Sequence, residues 1–273
     1  FKVENCNEST LRDIEISWLD ITKAIKSAVV LVASLGYQRD TLTSSNAIVP
    51  IAYYLKKIGS PENFHISRTF EDDRKNISKW LRMALLKRTF SGQPDNVLRP
   101  MRDVLRDADN NFPLEEIFDK FKGTSKALSF DDDELMNLTS YEYGEAYAYS
   151  ALAFLYPSLD FRNRFHLDHI YPKWMFTRKE LINQGVSRED IPAYLDKFNS
   201  LANLQLLEGV PNQEKSGKKI DDWMQETYPN EADRAAYRKK NYIPEMDLTL
   251  ANFLQFIELR KALLVAEFQS LLK

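Results

Sequence analysis

Cysteine occurs once, at Cys6, so no disulfide can form within the chain and a cysteine-rich zinc knuckle is excluded. A reducing, cytoplasmic setting is expected on that count. Long hydrophobic runs are missing too: no stretch approaches the roughly 18 consecutive apolar residues that suggest a membrane span. The most apolar run, Ala28 to Leu35, is too short and follows an acidic start, so it does not read as a signal peptide. No membrane partner is expected. A basic excess is also lacking: 37 Lys and Arg against 40 Asp and Glu give a net charge of −3, without the basic face usual in nucleic-acid binders. There is no internal repeat and no low-complexity linker. The first residue is Phe1 rather than Met, as expected of a piece of a longer protein.

What remains is a globular composition. The 273 residues are 44% hydrophobic and 28% charged, enough to bury one large core or two modest ones and too apolar for disorder. Charge shifts mildly along the chain. Residues 1–160 hold 20 basic against 24 acidic side chains, residues 161–240 hold 14 against 12, and residues 241–273 hold 3 against 4. This distribution permits contact with DNA without arguing for it.

Most of the chain carries a helical period. Ser9 and Thr10 can cap a start, after which Trp18, Ile21, Ile25, Ala28 and Val32 recur at helical spacing. Asn46 and Pro50 open a second helix that ends near Gly59, a third runs from about Asp73 to Leu85, and a fourth spans Val97 to Leu105 with Pro100 in its first turn. Tyr141 to Tyr156 reads as an aromatic, Ala-rich helix halted by Pro157, with its tyrosines packing in a core. The acidic run Asp131–Glu134 reads as a solvated loop or helix start. The character changes at Asp160. Arg164 to His169 and Leu204 to Leu207 read as short strands, two short helical patterns lie between them, and a helix runs from Asn212 through Trp223 and Met224. Leu248 to Leu272 is a long amphipathic helix. The expected fold is therefore mainly α, with a helical scaffold over 1–160, a small two-stranded unit over 161–240, and residues 241–273 packing back on the scaffold.

Histidine is scarce, with 3 residues, and two of them fall in His166-Leu167-Asp168-His169-Ile170-Tyr171-Pro172. Strand alternation puts His166 and Asp168 on one face and His169 on the other, unless the strand ends there and both Asp168 and His169 reach one cleft. An adjacent carboxylate and imidazole suit metal-assisted hydrolysis, because the carboxylate holds a hard cation while the imidazole takes a proton from water near neutral pH. The plain alternative is a surface Asp-His pair. Downstream, Asn203 sits in a turn before an apolar strand, and Asn212 follows Pro211 at an expected helix start. Each is also an ordinary turn or cap residue. Lys215, Lys218 and Lys219 would ordinarily make a solvated face. His65, between Phe64 and Ile66, reads as a partly buried packing residue.

The string Asp168-His169-Ile170-Tyr171-Pro172, followed by Asn203 and, nine positions on, by Asn212, resembles an HNH or His-Me finger nuclease core. The whole chain is similar to the C-terminal part of GmrSD-type modification-dependent restriction proteins, in which an HNH domain follows a helical middle region. The helical stretch with Trp80-Leu81 and the turn Phe90-Ser91-Gly92-Gln93 looks like that middle region. The resemblance implies a small ββα-metal finger with a helical insertion, since His169 and Asn203 stand 34 positions apart. It implies His169 as general base, Asp168 and Asn212 as ligands of one divalent cation, Mg²⁺ or Mn²⁺, and Asn203 as the residue that bonds backbone near His169 and orients its ring. Lys215 or Lys218 would contact a phosphate, and His166 would be a further phosphate or supporting group. The partner implied is DNA. An N-terminal nucleotide-dependent sensing domain with an Asp-Gly-Gln-Gln-Arg motif precedes these regions in the family. That motif is missing here, and Leu35-Gly36-Tyr37-Gln38-Arg39-Asp40-Thr41, which echoes it, reads as a helix terminus. The expected activity is metal-dependent endonuclease cleavage of DNA in restriction or defence. The alternative is a catalytically inactive DNA-binding or assembly module with a degenerate finger.

Overall fold

The computed structural model describes residues 7–156, 159–161 and 163–272. Phe1, Cys6 and the expected helix stop at Pro157 lie outside the described residues. As the sequence predicts, the fold is mainly α, with one small sheet of two strands among the described residues. The chain divides into two compact units, Phe1–Leu128 and Ser129–Lys273.

Among its described residues the first unit holds six α-helices, α1 (Glu8–Ile16), α2 (Trp18–Ser34), α3 (Ile48–Lys57), α4 (Glu71–Leu86), α5 (Asp95–Asp107) and α6 (Leu114–Phe121). Asn7, rather than Ser9 or Thr10, caps α1, its Oδ1 accepting the Thr10 amide at 2.9 Å. The chain leaves α2 through Gly36 at φ 90°, a conformation a side chain would oppose, so the stretch from Leu35 to Thr41 is a helix terminus as expected. Pro100 lies inside α5, beyond the first turn that the sequence suggested. Its core gathers Ala28, Leu31, Ile51, Leu55, Ile77, Trp80, Leu81, Met101 and Phe112, all fully or nearly fully buried. The Lys57 ammonium donates to the Leu105 carbonyl at 2.8 Å and to that of Ala108, so a cation meets the carbonyl end of α5 where the helix dipole is negative. His65 is half-buried in the loop before α4.

The second unit begins with α7 (Asp132–Leu138) and α8 (Ala146–Leu155). The acidic run read as a loop or helix start is a capping box. Asp131 accepts the Glu134 amide at 2.8 Å and Glu134 accepts the Asp131 amide at 3.0 Å. Strands β1 (Phe165–His169) and β2 (Leu204–Glu208) pair antiparallel, with Asp168 opposite Gln205 and His169 opposite Leu204. Between them run two 3₁₀ turns and the helices α9 (Arg178–Asn183) and α10 (Ile191–Lys197), where the sequence shows two short helical patterns. Helix α11 (Gly209–Lys215) follows β2 directly and packs on both strands.

Three boundaries differ from those expected. The helix read from Asn212 through Met224 is two helices, α11 and α12 (Ile220–Thr227), separated at Ser216, whose φ is 43°. Helix α13 (Glu231–Lys240) is additional. The scaffold boundary falls near 128 rather than at 160, because α7, α8 and the long terminal helix α14 (Phe253–Leu272) pack together and α8 also meets β2. Residues 241–273 therefore close back onto the second unit's own helices. Its core runs through Ile170, Tyr171, Phe176, Leu181, Tyr194, Trp223, Tyr237, Phe253 and Phe256.

Candidate functional site

β1 delivers Asp168 and His169 to different neighbours. The Asp168 carboxylate, opposite Gln205 across the strand pair, accepts from Gln205 Nε2 at 2.9 Å. Lys215, at the last turn of α11, places its Nζ 2.9 Å from the same oxygen, Oδ2, and donates to the His169 carbonyl at 2.7 Å. Gln205 is itself fixed, because its Oε1 accepts the Tyr237 hydroxyl at 2.5 Å. Burial raises the Tyr237 phenol well above its ordinary value, so it remains a donor. The result is a continuous chain from Tyr237 through Gln205 and Asp168 to Lys215. The Lys215 side chain is 0% exposed and that of Asp168 11%. Burial pulls the Lys215 ammonium below its ordinary value, while the Asp168 carboxylate holds it up.

His169 closes the strand and is 8% exposed. Its Nε2 lies 3.0 Å from Asn199 Oδ1, and its ring meets Tyr143 at 4.6 Å and Phe198 at 6.3 Å. With an amide oxygen at Nε2, the neutral ring carries its proton there and leaves the Nδ1 lone pair as the proton acceptor. Burial pulls the imidazole below its ordinary 6.5, against the Asn199 hydrogen bond and the Asp168 charge, and the charges of Lys215 and Lys173 lower it further. The neutral form needed by a base is thus favoured. Because the folded value lies below the unfolded one, the unfolded chain binds the proton first. The stability from this group is complete above pH ~6.5 and is lost as pH falls through that value towards the folded one. In an NMR titration, the His169 ring should protonate below 6.5. A midpoint at or above that value would contradict the buried, neutral arrangement.

Asn203 is 0% exposed and bonds backbone throughout. Its Oδ1 accepts the Tyr171 amide at 2.9 Å, and its Nδ2 donates to the carbonyls of Tyr171 at 3.2 Å and Phe198 at 2.8 Å. Its own carbonyl accepts the Ile170 amide at 2.8 Å. Asn203 therefore fastens the backbone just past His169, while the ring itself is held by Asn199, Tyr143 and Phe198. Sequence reasoning missed Asn199, inside the insertion, and assigned Tyr143 to a core. In the structure Tyr143 is 46% exposed and precedes α8. The Tyr143 amide donates to the Asn199 carbonyl at 2.8 Å, and Glu142 and Ser200 form an isolated antiparallel bridge that sets this side of the site.

The other expected residues are less closely joined. Asn212 is half-buried in the middle of α11, not at its start, and no hydrogen bond links it to Asp168 among the described residues. Lys215, expected at a phosphate, is sealed from solvent by its ion pair. Lys218 is exposed and pairs with Glu226 at 2.5 Å. His166 is half-buried opposite Leu207. Lys173 is exposed and near enough for its charge to act on His169, although the sequence did not single it out. Among the described residues, no three His, Cys, Asp or Glu side chains come together in a metal-binding group. The groups that meet the Asp168 carboxylate are donors, the Gln205 amide nitrogen and the Lys215 ammonium. Among the described residues no helix is long and apolar enough to cross a membrane. No family model and no curated protein matches this chain.

Proposed function

We propose that this chain is an HNH-type endonuclease module that hydrolyses phosphodiester bonds in DNA, with His169 as general base. The observation that carries the reading is the buried His169 ring at the end of β1, beside Asp168, with Nε2 fixed by Asn199 and the following backbone fastened by Asn203. The order of two antiparallel strands and a helix, with α9 and α10 inserted between the strands, supports a finger of this class carrying a helical insertion. His169 would take a proton from the attacking water, a contribution of roughly 10²–10⁴-fold in rate. Asn203 and Asn199 would keep the imidazole in place, and exposed Lys173 would attract the phosphate backbone.

A magnesium or manganese ion would be held by Asp168 and Asn212, both hard oxygen donors. When bound, it would neutralise charge on the phosphate and the departing oxygen. The same reading assigns the chain to a restriction or defence protein of the GmrSD type acting in the cytoplasm, with the nucleotide-dependent sensing domain on another segment. One observation favours the second reading, an inactive DNA-binding or assembly module: the Asp168 carboxylate already carries the Lys215 ammonium. Supercoiled plasmid incubated with the protein separates the two. Nicking or linearisation that needs Mn²⁺ or Mg²⁺ and stops with a chelator is expected. A gel shift of the same DNA without cleavage, in any divalent ion, would leave the binding module as the function.

A further inference from the structure

We propose that α1 and the first half of α2 form the surface through which two copies of this chain pair, helix against helix and antiparallel. The proposal stands apart from the chemistry read at His169. Leu11, Ile14, Trp18, Ile21 and Ile25 follow one another at alternating steps of three and four residues, the a and d positions of a coiled-coil seam. Ser17 joins the two helices without breaking the ladder, since its amide donates to the Asp13 carbonyl at 3.0 Å and its carbonyl accepts the Ile21 amide at 2.9 Å. The same repeat continues into Ala28 and Val32, which are buried. Upstream the seam is bare, with Leu11, Ile14, Trp18 and Ile25 between 41% and 56% exposed. Single apolar side chains on a surface are ordinary, but a continuous seam in one register is not. No residue of α1 is buried, and a helix of 9 residues with nothing to pack on is marginal in water. A covering helix answers both observations.

The charges say which helix. Residues 8–20 carry Glu8, Asp13, Glu15 and Asp20 against Arg12, whereas residues 21–34 carry Lys23 and Lys26 and no acid. A parallel pair would set like ends together. An antiparallel pair of identical helices, related by a two-fold axis close to Leu19 and Asp20, sets the acidic half of each against the basic half of the other. In that register Trp18 faces the partner's Ile21 and Ile14 faces the partner's Ile25, so each a position meets a d position. Glu15 and Lys26 lie on the same flank of the seam, both exposed and without an ion pair among the described residues. Across the two-fold they come within reach of each other, twice. Complementarity to its own reverse is what an interface between identical copies requires, and a seam for a foreign helix has no need of it.

The test uses the whole chain. Sedimentation velocity across the micromolar range should show a species of twice the chain mass. Trp18→Glu changes an exposed position and should weaken this dimer at least about a hundredfold, because the residue enters the seam from both copies. Glu15→Lys and Lys26→Glu should each weaken it by roughly three- to tenfold, and the double variant should restore it. In a Cys6→Ser background, a mixture of Ile14→Cys and Ile25→Cys chains should oxidise to the mixed disulfide, whereas a parallel pair would link each variant to itself. Melting temperatures equal to the parent's establish that the variants are folded. A chain that stays monomeric at the highest concentration, or a dimer that survives Trp18→Glu, would overturn the proposal and leave the seam to another occupant. A dimer in which the Ile14→Cys chains link only to themselves would overturn the antiparallel pairing.

Discussion

Replacing His169 with alanine is expected to lower DNA cleavage by roughly 10²–10⁴-fold, the usual contribution of a positioned general base. The expectation follows from the ring's surroundings. A surface histidine would exchange its proton with solvent and adopt many rotamers. His169 instead packs between a tilted Tyr143 ring and a stacked Phe198 ring, with one nitrogen committed to Asn199 and burial favouring the neutral form. Nothing in its placement serves as a charge anchor, because the ion pair beneath it belongs to Asp168 and Lys215. Metal affinity should therefore survive the substitution while the rate does not. Initial rates of plasmid nicking, set beside the melting temperature of the same preparation, give the measurement. A variant that folds and cleaves at the parent rate would show that the base lies elsewhere. Asn199→Ala is the companion test. It leaves the imidazole but frees Nε2, so a milder loss and a displaced acid limb in the pH–rate profile are expected.

The strands that carry this site are legible in the amino-acid sequence because their signals are local. The apolar run from Leu204 to Leu207 and the break at Pro172 bound them, and Asn203 stands where a turn must precede a strand. The groups around the histidine are not legible in the same way. Asn199 lies thirty positions from His169 in sequence and reaches it only because the insertion folds back on β1. Tyr143 carries the same aromatic, Ala-rich pattern as Tyr149, which is buried, and only the late start of α8 at Ala146 leaves Tyr143 outside the helix. Lys215 misleads for a related reason. Three lysines within residues 215–219 have the composition of a solvated face, yet the helix turn at 215 aims one of them inward at Asp168 while Lys218 stays outside. Composition reports how many charges a segment has. Which of them is buried depends on a partner elsewhere in the chain, and a single sequence does not display that pairing. The scaffold boundary moves on the same grounds, since α7 and α8 belong with α14 by packing and not by any change of composition.

Arg260→Ala should lower the stability of the second unit by about 4 kcal/mol, among the larger effects of single substitutions. Arg260 lies in the middle of α14 and is 0% exposed. Its Nη1 donates to the carbonyls of Ala202 at 2.7 Å and Leu201 at 3.3 Å. Nη2 and Nε donate to the Asn241 carbonyl at 3.1 and 3.3 Å. These acceptors are carbonyls, not carboxylates. Burial therefore pulls the guanidinium below its ordinary value, while the phenols of Tyr156 and Tyr237 hold it up. Truncation would strip donors from three buried carbonyls, each worth about 1–3 kcal/mol when left unpaired, and would open a cavity. Relief of the buried charge offsets part of that loss, which is why the net figure stays near ~4 kcal/mol and not at the sum. Thermal unfolding should shift down by roughly 10 °C. The effect should also reach the site, because Leu201 and Ala202 immediately precede Asn203, whose side chain fastens Tyr171 and Phe198. Hydrogen exchange at the Ile170 and Tyr171 amides should accelerate in Arg260→Ala. In Arg260→Lys, one charge is restored without the planar fork, so recovery should be partial. Unchanged melting together with unchanged exchange at those two amides would show that the arginine is a passenger in the core and that Asn203 is positioned without it.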